Sequence, residues 1–241
     1  MDYLAFIDTT AVDGRRLIDA AESDWSRPVP HCPDWDIAGL VRHTGGILAW
    51  MAAVVSNGEF VSRQALDAPP DANSELRRWY LDNLDCTLDV LRNADTEARV
   101  WTFSNLGDQR SAWWRRRLAV EVAIHRWDTE HAAEIDPSPL DRDVAVAGIE
   151  EFVIEFLPGL LAQQSADMLT GTLHLQPMDG AENYWLDLDG GGATRQELTT
   201  ATTSIRGTAS DILLWMTNRD PVHADVHGEG GAFTNWRQLH R

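Results

Sequence analysis

The chain has 241 residues, 44% hydrophobic and 24% charged, a globular composition long enough for one large domain or two ordinary ones, of which two is the better reading. Its formal net charge of −18, from 38 acids against 20 bases, repels phosphate backbones and anionic headgroups, so neither nucleic acid nor a membrane is an expected partner. All 20 bases are arginine, which removes a lysine Schiff base and the lysine of a P-loop from consideration.

The opening stretch, YLAFIDTTAVDGRRLIDAA, has apolar residues at helical spacing. No basic stretch precedes its apolar segment, as a secretory signal would require, and no apolar run approaches the roughly 20 residues that span a bilayer. A cytoplasmic protein is the expectation. VPHCPDW then breaks the helix with Pro28, Pro30 and Pro33. Asp36 can cap a second helix, IAGLVRHTGGILAWMAAVV, whose Ile37, Leu40, Ile47, Met51 and Val54 share a face. A third, within PPDANSELRRWYLDNLDCTLDVLRNA, has Leu76, Tyr80, Leu84, Leu88 and Leu91 as its stripe. The irregular DTEARVWTFSNLGDQRS leads to a fourth, AWWRRRLAVEVAIHRWDTEHAAE. Four helices joined by turns make an antiparallel bundle.

Past DPSPL the pattern changes. One more helix, DVAVAGIEEFVIEFLPGLLA, precedes the strand-like LTGTLHLQ, NYWLDLD and TTSIRG, then a helix, ASDILLWMTNR, and a last strand-like VHADVHG. Strands with segregated helices indicate an α+β domain. The boundary is expected near Pro137 to Pro139, giving domains 1–138 and 139–241. DGGGA, 189–193, lacks the glycine spacing of a dinucleotide loop and reads as a hairpin turn; HGEGGAF, 227–233, is a weak glycine cluster. Cys32 and Cys86 are too far apart for a CxxC pair and too few for a disulfide framework, so both are expected as reduced thiols. The tryptophans near helix ends, Trp35, Trp50, Trp114 and Trp127, are read as packing, with Trp50 a candidate pocket wall.

EVAIHRWD, 121–128, places Glu121 and His125 four residues apart on one helix face. His43, three residues after Leu40 and four before Ile47, occupies the core face of the second helix. Two imidazoles and a carboxylate from facing helices make the ligand set of a catalytic zinc site with its fourth position open. The competing reading is a hydrogen-bonded core pair, and His31, His131, His174, His223, His227 and His240 are rival third ligands. His131 is the weakest of these, because six residues turn it away from the His125 face.

VPHCPDWDIAGLVRHTGGILAW resembles the pattern vPxCPxW…dLxxHxxxxxxW of the maleylpyruvate isomerase family of mycothiol-dependent enzymes. WWRRRLAVEVAIHRWDTEHA is similar to that family's RRxaxExxvHRxDxexA, and GTASDILLWMTNR to its GtaxdLLlwlxgR. The resemblance implies a DinB-like four-helix bundle followed by a smaller α+β domain similar to sterol carrier proteins. It implies His43, Glu121 and His125 as ligands of a divalent metal, zinc by preference, mycothiol as thiol cosubstrate, and Arg219 as a catalytic arginine reaching toward the site. Many relatives carry a histidine directly before the ligand glutamate, where this chain has Val120.

A metal-bound thiol is a thiolate. Added to a cis double bond it permits rotation and elimination to the trans isomer; if a leaving group departs instead, the outcome is thiol S-transfer. The expected substrate is small and either anionic or electrophilic, with its carboxylate on Arg219. Asp128, three residues past His125, is a candidate for orienting that imidazole, and Arg116 and Arg117 match the family's paired arginines. Two other readings stand beside this one: a non-enzymatic binder of an apolar small molecule with a structural metal, and a zinc-hydroxide hydrolase.

Overall fold

The computed structural model describes residues 3–163, 171–188, 192–194, 201–220 and 223–228, together with Trp236. Two compact units, Met1–Val144 and Ala145–Arg241, divide the chain. The first is helical and the second is built on a mixed sheet, as the sequence pattern predicts.

Four long helices make the first unit: α1 (Tyr3–Ala21), α2 (Ile37–Asn57), α3 (Asn73–Asn93) and α4 (Ser111–Ala132). α1 packs chiefly on α4 and α2 on α3, with α1 also against α3 and α2 also against α4. The apolar stripes explain this arrangement. Ile37, Leu40, Met51 and Val54 of α2 and Leu76, Tyr80, Leu84, Leu88 and Leu91 of α3 are all at most 2% exposed. α2 begins where expected, with Asp36 accepting the Gly39 N–H at 2.7 Å, and ends on Gly58, whose φ of 75° lets the chain turn in the left-handed region. Gly45 sets how closely α2 meets α3, because a Cβ there would lie 2.3 Å from the Trp79 ring. On length and composition α2 could cross a membrane, but 67% of its most apolar window is buried within the unit.

α4 differs from its neighbours in being buried almost all round, including Arg115, Arg126, Asp128 and Glu130. A helix so placed must satisfy polar groups on several faces at once. On one, Arg126 donates to Glu130 Oε2 at 2.8 Å and lies 3.2 Å from Asp13 Oδ1, while Arg16 donates to Glu130 Oε1 at 2.7 Å. Burial pushes the Asp13 carboxyl above its ordinary range, even against the opposing pull of Arg126 and Arg16.

In the second unit, α5 (Arg142–Glu150), which begins within the first unit, runs through a π-helical stretch (Glu151–Phe156) into α6 (Leu157–Gln163). The strands are β1 (Thr172–Pro177), β2 (Tyr184–Asp187), β3 (Gly192–Thr194), β4 (Thr203–Gly207) and β5 (Asp225–Gly228), in the order β3-β2-β1-β4-β5. Among the described residues only the β1–β4 pair is parallel, with Leu175 opposite Ile205. Alternation along β1 buries Leu173 and Leu175 on one face. α7 (Ala209–Met216) starts on a capping box in which Thr208 accepts the Asp211 N–H and the Asp211 side chain accepts the Thr208 N–H. The sequence pattern misses β3, three residues too short to alternate; its antiparallel pairing with β2 fits the hairpin reading of DGGGA, whose residues 189–191 lie outside the described residues. HGEGGAF likewise falls mostly outside them, and its first two residues end β5.

Candidate metal centre

His43 comes from the second turn of α2, and Glu121 and His125 from the middle of α4 one turn apart. His43 Nε2 lies 3.2 Å from Glu121 Oε1, and His125 Nε2 lies 3.4 Å from that same oxygen. Ligand atoms of the three residues all fall within 4.8 Å of one another. The three side chains that the sequence singles out therefore converge. Two nitrogens and an oxygen held at about 2.0–2.1 Å on the corners of a tetrahedron are about 3.3 Å apart, so these spacings fit one shared ion. The His43 side chain remains 27% exposed, so the cluster is open on the α2 side and not sealed in the core as the helical pattern suggests.

Each ligand candidate is held from behind. Asp128, fully buried, faces His125 Nδ1 with Oδ2 at 3.1 Å. With Nδ1–H donated to Asp128, the lone pair of a neutral ring sits on Nε2. Arg117, one turn before Glu121, donates to Glu121 Oε2 and leaves Oε1 to the imidazoles. Trp35 packs on His43, ring centroids 4.5 Å apart. Sequence reasoning offers Asp128 as an orienting partner and Arg117 as one of the family's paired arginines; it reads Trp35 as packing without placing it at the site, and nominates Trp50 as the wall. Trp50 instead belongs to an aromatic cluster with Trp101 and Trp114. Trp35 is the tryptophan of the vPxCPxW pattern, and its position one residue before the Asp36 cap fixes it beside the first turns of α2.

The electrostatics ask for positive charge at this point. Burial pushes the His125 imidazole down, but hydrogen bonds to Asp128 and Glu121 more than reverse this and raise its pKa to about 9. Burial pushes Glu121 up, yet the Arg117 guanidinium and then the two imidazoles hold it well below the usual carboxylate range. A carboxylate oxygen facing two ring nitrogens is stable with a proton or a metal cation between them.

The rival histidines have other surroundings. His31 and His131 pack with Trp127, at centroid distances of 5.6 and 5.1 Å, and His174 stacks on Trp185 at 3.9 Å. His223 and His227 lie in the second unit, and His240 is outside the described residues. Arg219 also belongs to the second unit, in the turn after α7, where it donates from Nη1 to the Thr217 carbonyl at 2.6 Å.

Comparison with known proteins bears on the family and the fold. Residues 9–130 match the model of the mycothiol maleylpyruvate isomerase N-terminal domain, and residues 143–233 that of the MDMPI C-terminal domain. A search of the curated proteins finds no match. Among solved structures, a mycothiol-dependent maleylpyruvate isomerase aligns over 93% of both chains, with a TM-score of 0.59 at 11% identity. A histidine-to-alanine mutant of a mycothiol-dependent maleylpyruvate isomerase aligns equally well, at 9% identity. At such identities the likeness is one of fold.

Proposed function

The chain belongs to the mycothiol maleylpyruvate isomerase family, and from that premise we propose that it is an enzyme adding a low-molecular-weight thiol, mycothiol, to a small electrophilic substrate at a centre built by His43, Glu121 and His125. The observation that carries the reading is the convergence of two imidazole nitrogens on one carboxylate oxygen, at 3.2 and 3.4 Å. When bound there, a divalent cation, for which zinc suits the donor set, supplies the charge that turns a thiol of pKa about 8.5 into a thiolate.

The chain's own residues prepare the site. His43 and His125 offer imidazole nitrogens, and Glu121 offers one oxygen because Arg117 engages the other. Asp128 keeps the His125 proton on Nδ1. Trp35 shields the His43 ring from water on one side. Arg219 is assigned to a substrate carboxylate, which a guanidinium holds by two parallel hydrogen bonds.

On a maleylpyruvate-type substrate, thiolate addition leaves a single bond free to rotate, and elimination returns the thiolate and the trans isomer. Where a substrate carries a leaving group, its departure gives a thioether and the reaction is S-transfer. The test is turnover of a cis-unsaturated diacid with and without mycothiol, before and after removal of metal by a chelator. Activity requiring both thiol and metal, in protein that stays folded throughout, is the expected result. Turnover indifferent to thiol overturns the reading.

A further inference from the structure

Cys32 lies in the turn that leads into α2, and this turn is pinned by its own backbone. The Val29 N–H donates to the Trp35 carbonyl at 2.9 Å, the Cys32 N–H to Val29 at 3.0 Å, and the Trp35 N–H to Cys32 at 2.8 Å. A loop tied in this way presents its side chains from fixed positions. It brings Cys32 against α4, where one donor atom each from Cys32, His125 and Asp128 all lie within 4.8 Å of one another. Cys32 is half-buried and outside any disulfide, and His125 and Asp128 are 8% and 0% exposed. A thiolate, an imidazole and a carboxylate in a buried setting form a ligand set for a thiophilic divalent cation.

The shared histidine makes the geometry specific. His125 turns Nε2 toward Glu121 and Nδ1 toward Asp128, so its two nitrogens face different groups. We propose that Cys32, His125 through Nδ1, and Asp128 form a second cation seat, beside the His43–Glu121–His125 centre, that takes a thiophilic divalent ion such as cadmium or zinc in excess. Neither Cys32 nor Asp128 is a ligand in the proposed function, so this seat goes beyond that reading. Filling it forms a sulfur–metal bond as the thiol loses its proton, and forms a metal–nitrogen bond as Nδ1 gives up the proton now donated to Asp128. Both protons pass to solvent, giving two released per cation bound.

Cadmium titrated into the full-length protein, its resident metal counted beforehand, tests the seat. The expected result is an ultraviolet thiolate-to-cadmium charge-transfer band that saturates at one cadmium beyond the resident metal, with two protons released. Cys32→Ser abolishes the band, and Cys86→Ser leaves it intact. Alkylating Cys32 in folded Cys86→Ser protein gives the same loss without relying on the fold of a Cys32 variant. His43→Ala, which removes a ligand of the first centre alone, keeps the band while losing resident metal. No band, or a band that survives Cys32→Ser, overturns the second seat. A band that vanishes with His43→Ala overturns it too, by placing Cys32 in the first centre. Resident metal retained by His43→Ala, with the band behaving as expected, contradicts the proposed function and leaves the second seat standing.

Discussion

α4 carries two buried polar clusters about a third of a turn apart, and they end differently. On one face, Arg126 lies between Asp13 and Glu130, and Arg16 takes the remaining Glu130 oxygen. Cations and carboxylates there balance in number, two of each. On the other face, His43 and His125 present nitrogens to a single oxygen of Glu121, whose second oxygen belongs to Arg117. That arrangement leaves a place between donor atoms for one positive charge. Burial alone therefore does not distinguish a structural cluster from a functional one; whether the charges close among themselves does.

Substitutions separate the two clusters. His43→Ala is expected to have the largest effect on function, with bound metal falling from one ion per chain to almost none and thiol-dependent turnover falling to background. Elemental analysis of protein whose circular dichroism is unchanged reads this directly. Arg126→Met should do the opposite. It strands the Asp13 and Glu130 carboxylates in the core at a cost of about 3–5 kcal/mol in urea unfolding, while metal per folded chain stays constant. If Arg126→Met emptied the metal centre of folded protein, the two faces would be coupled and the distinction would fail.

Asp128→Asn sharpens the picture from behind the ligand. Losing the carboxylate that orients His125 should weaken metal binding about 10–100-fold, measured by competition with a chromophoric chelator. Asp108 gives the smallest effect and a control outside both clusters. Hydrogen bonds from Arg110 hold its carboxyl below the usual range, so the folded-state pKa is depressed. The stabilisation is therefore present above the unfolded value, about 3.9, and is lost as pH falls through the folded one. Asp108→Asn should flatten the acid limb of stability against pH and leave the neutral region nearly unchanged.

Much of this was legible in the sequence because helical periodicity is a strong signal. The stripes of α2 and α3 and the Asp36 cap predict those helices, and the i, i+4 spacing of Glu121 and His125 puts both on one face. That His43 would meet them across the unit follows from its place on the α2 stripe. Its partial exposure does not, because periodicity gives direction and not depth. Trp35 and Cys32 stand in the VPHCPDW motif, but their places beside the site are not readable from it. Their positions depend on backbone hydrogen bonds within a proline-rich turn, which has no period to read. β3 was missed because three residues cannot show alternation.

The central claim, that His43, Glu121 and His125 share one divalent cation, is tested most directly by anomalous diffraction from crystals of the protein purified with its native metal. The account predicts a single strong peak about 2.0–2.2 Å from His43 Nε2, Glu121 Oε1 and His125 Nε2. Crystals in which those three groups hydrogen-bond to one another with no anomalous density between them, although metal is present at one ion per chain, would contradict it.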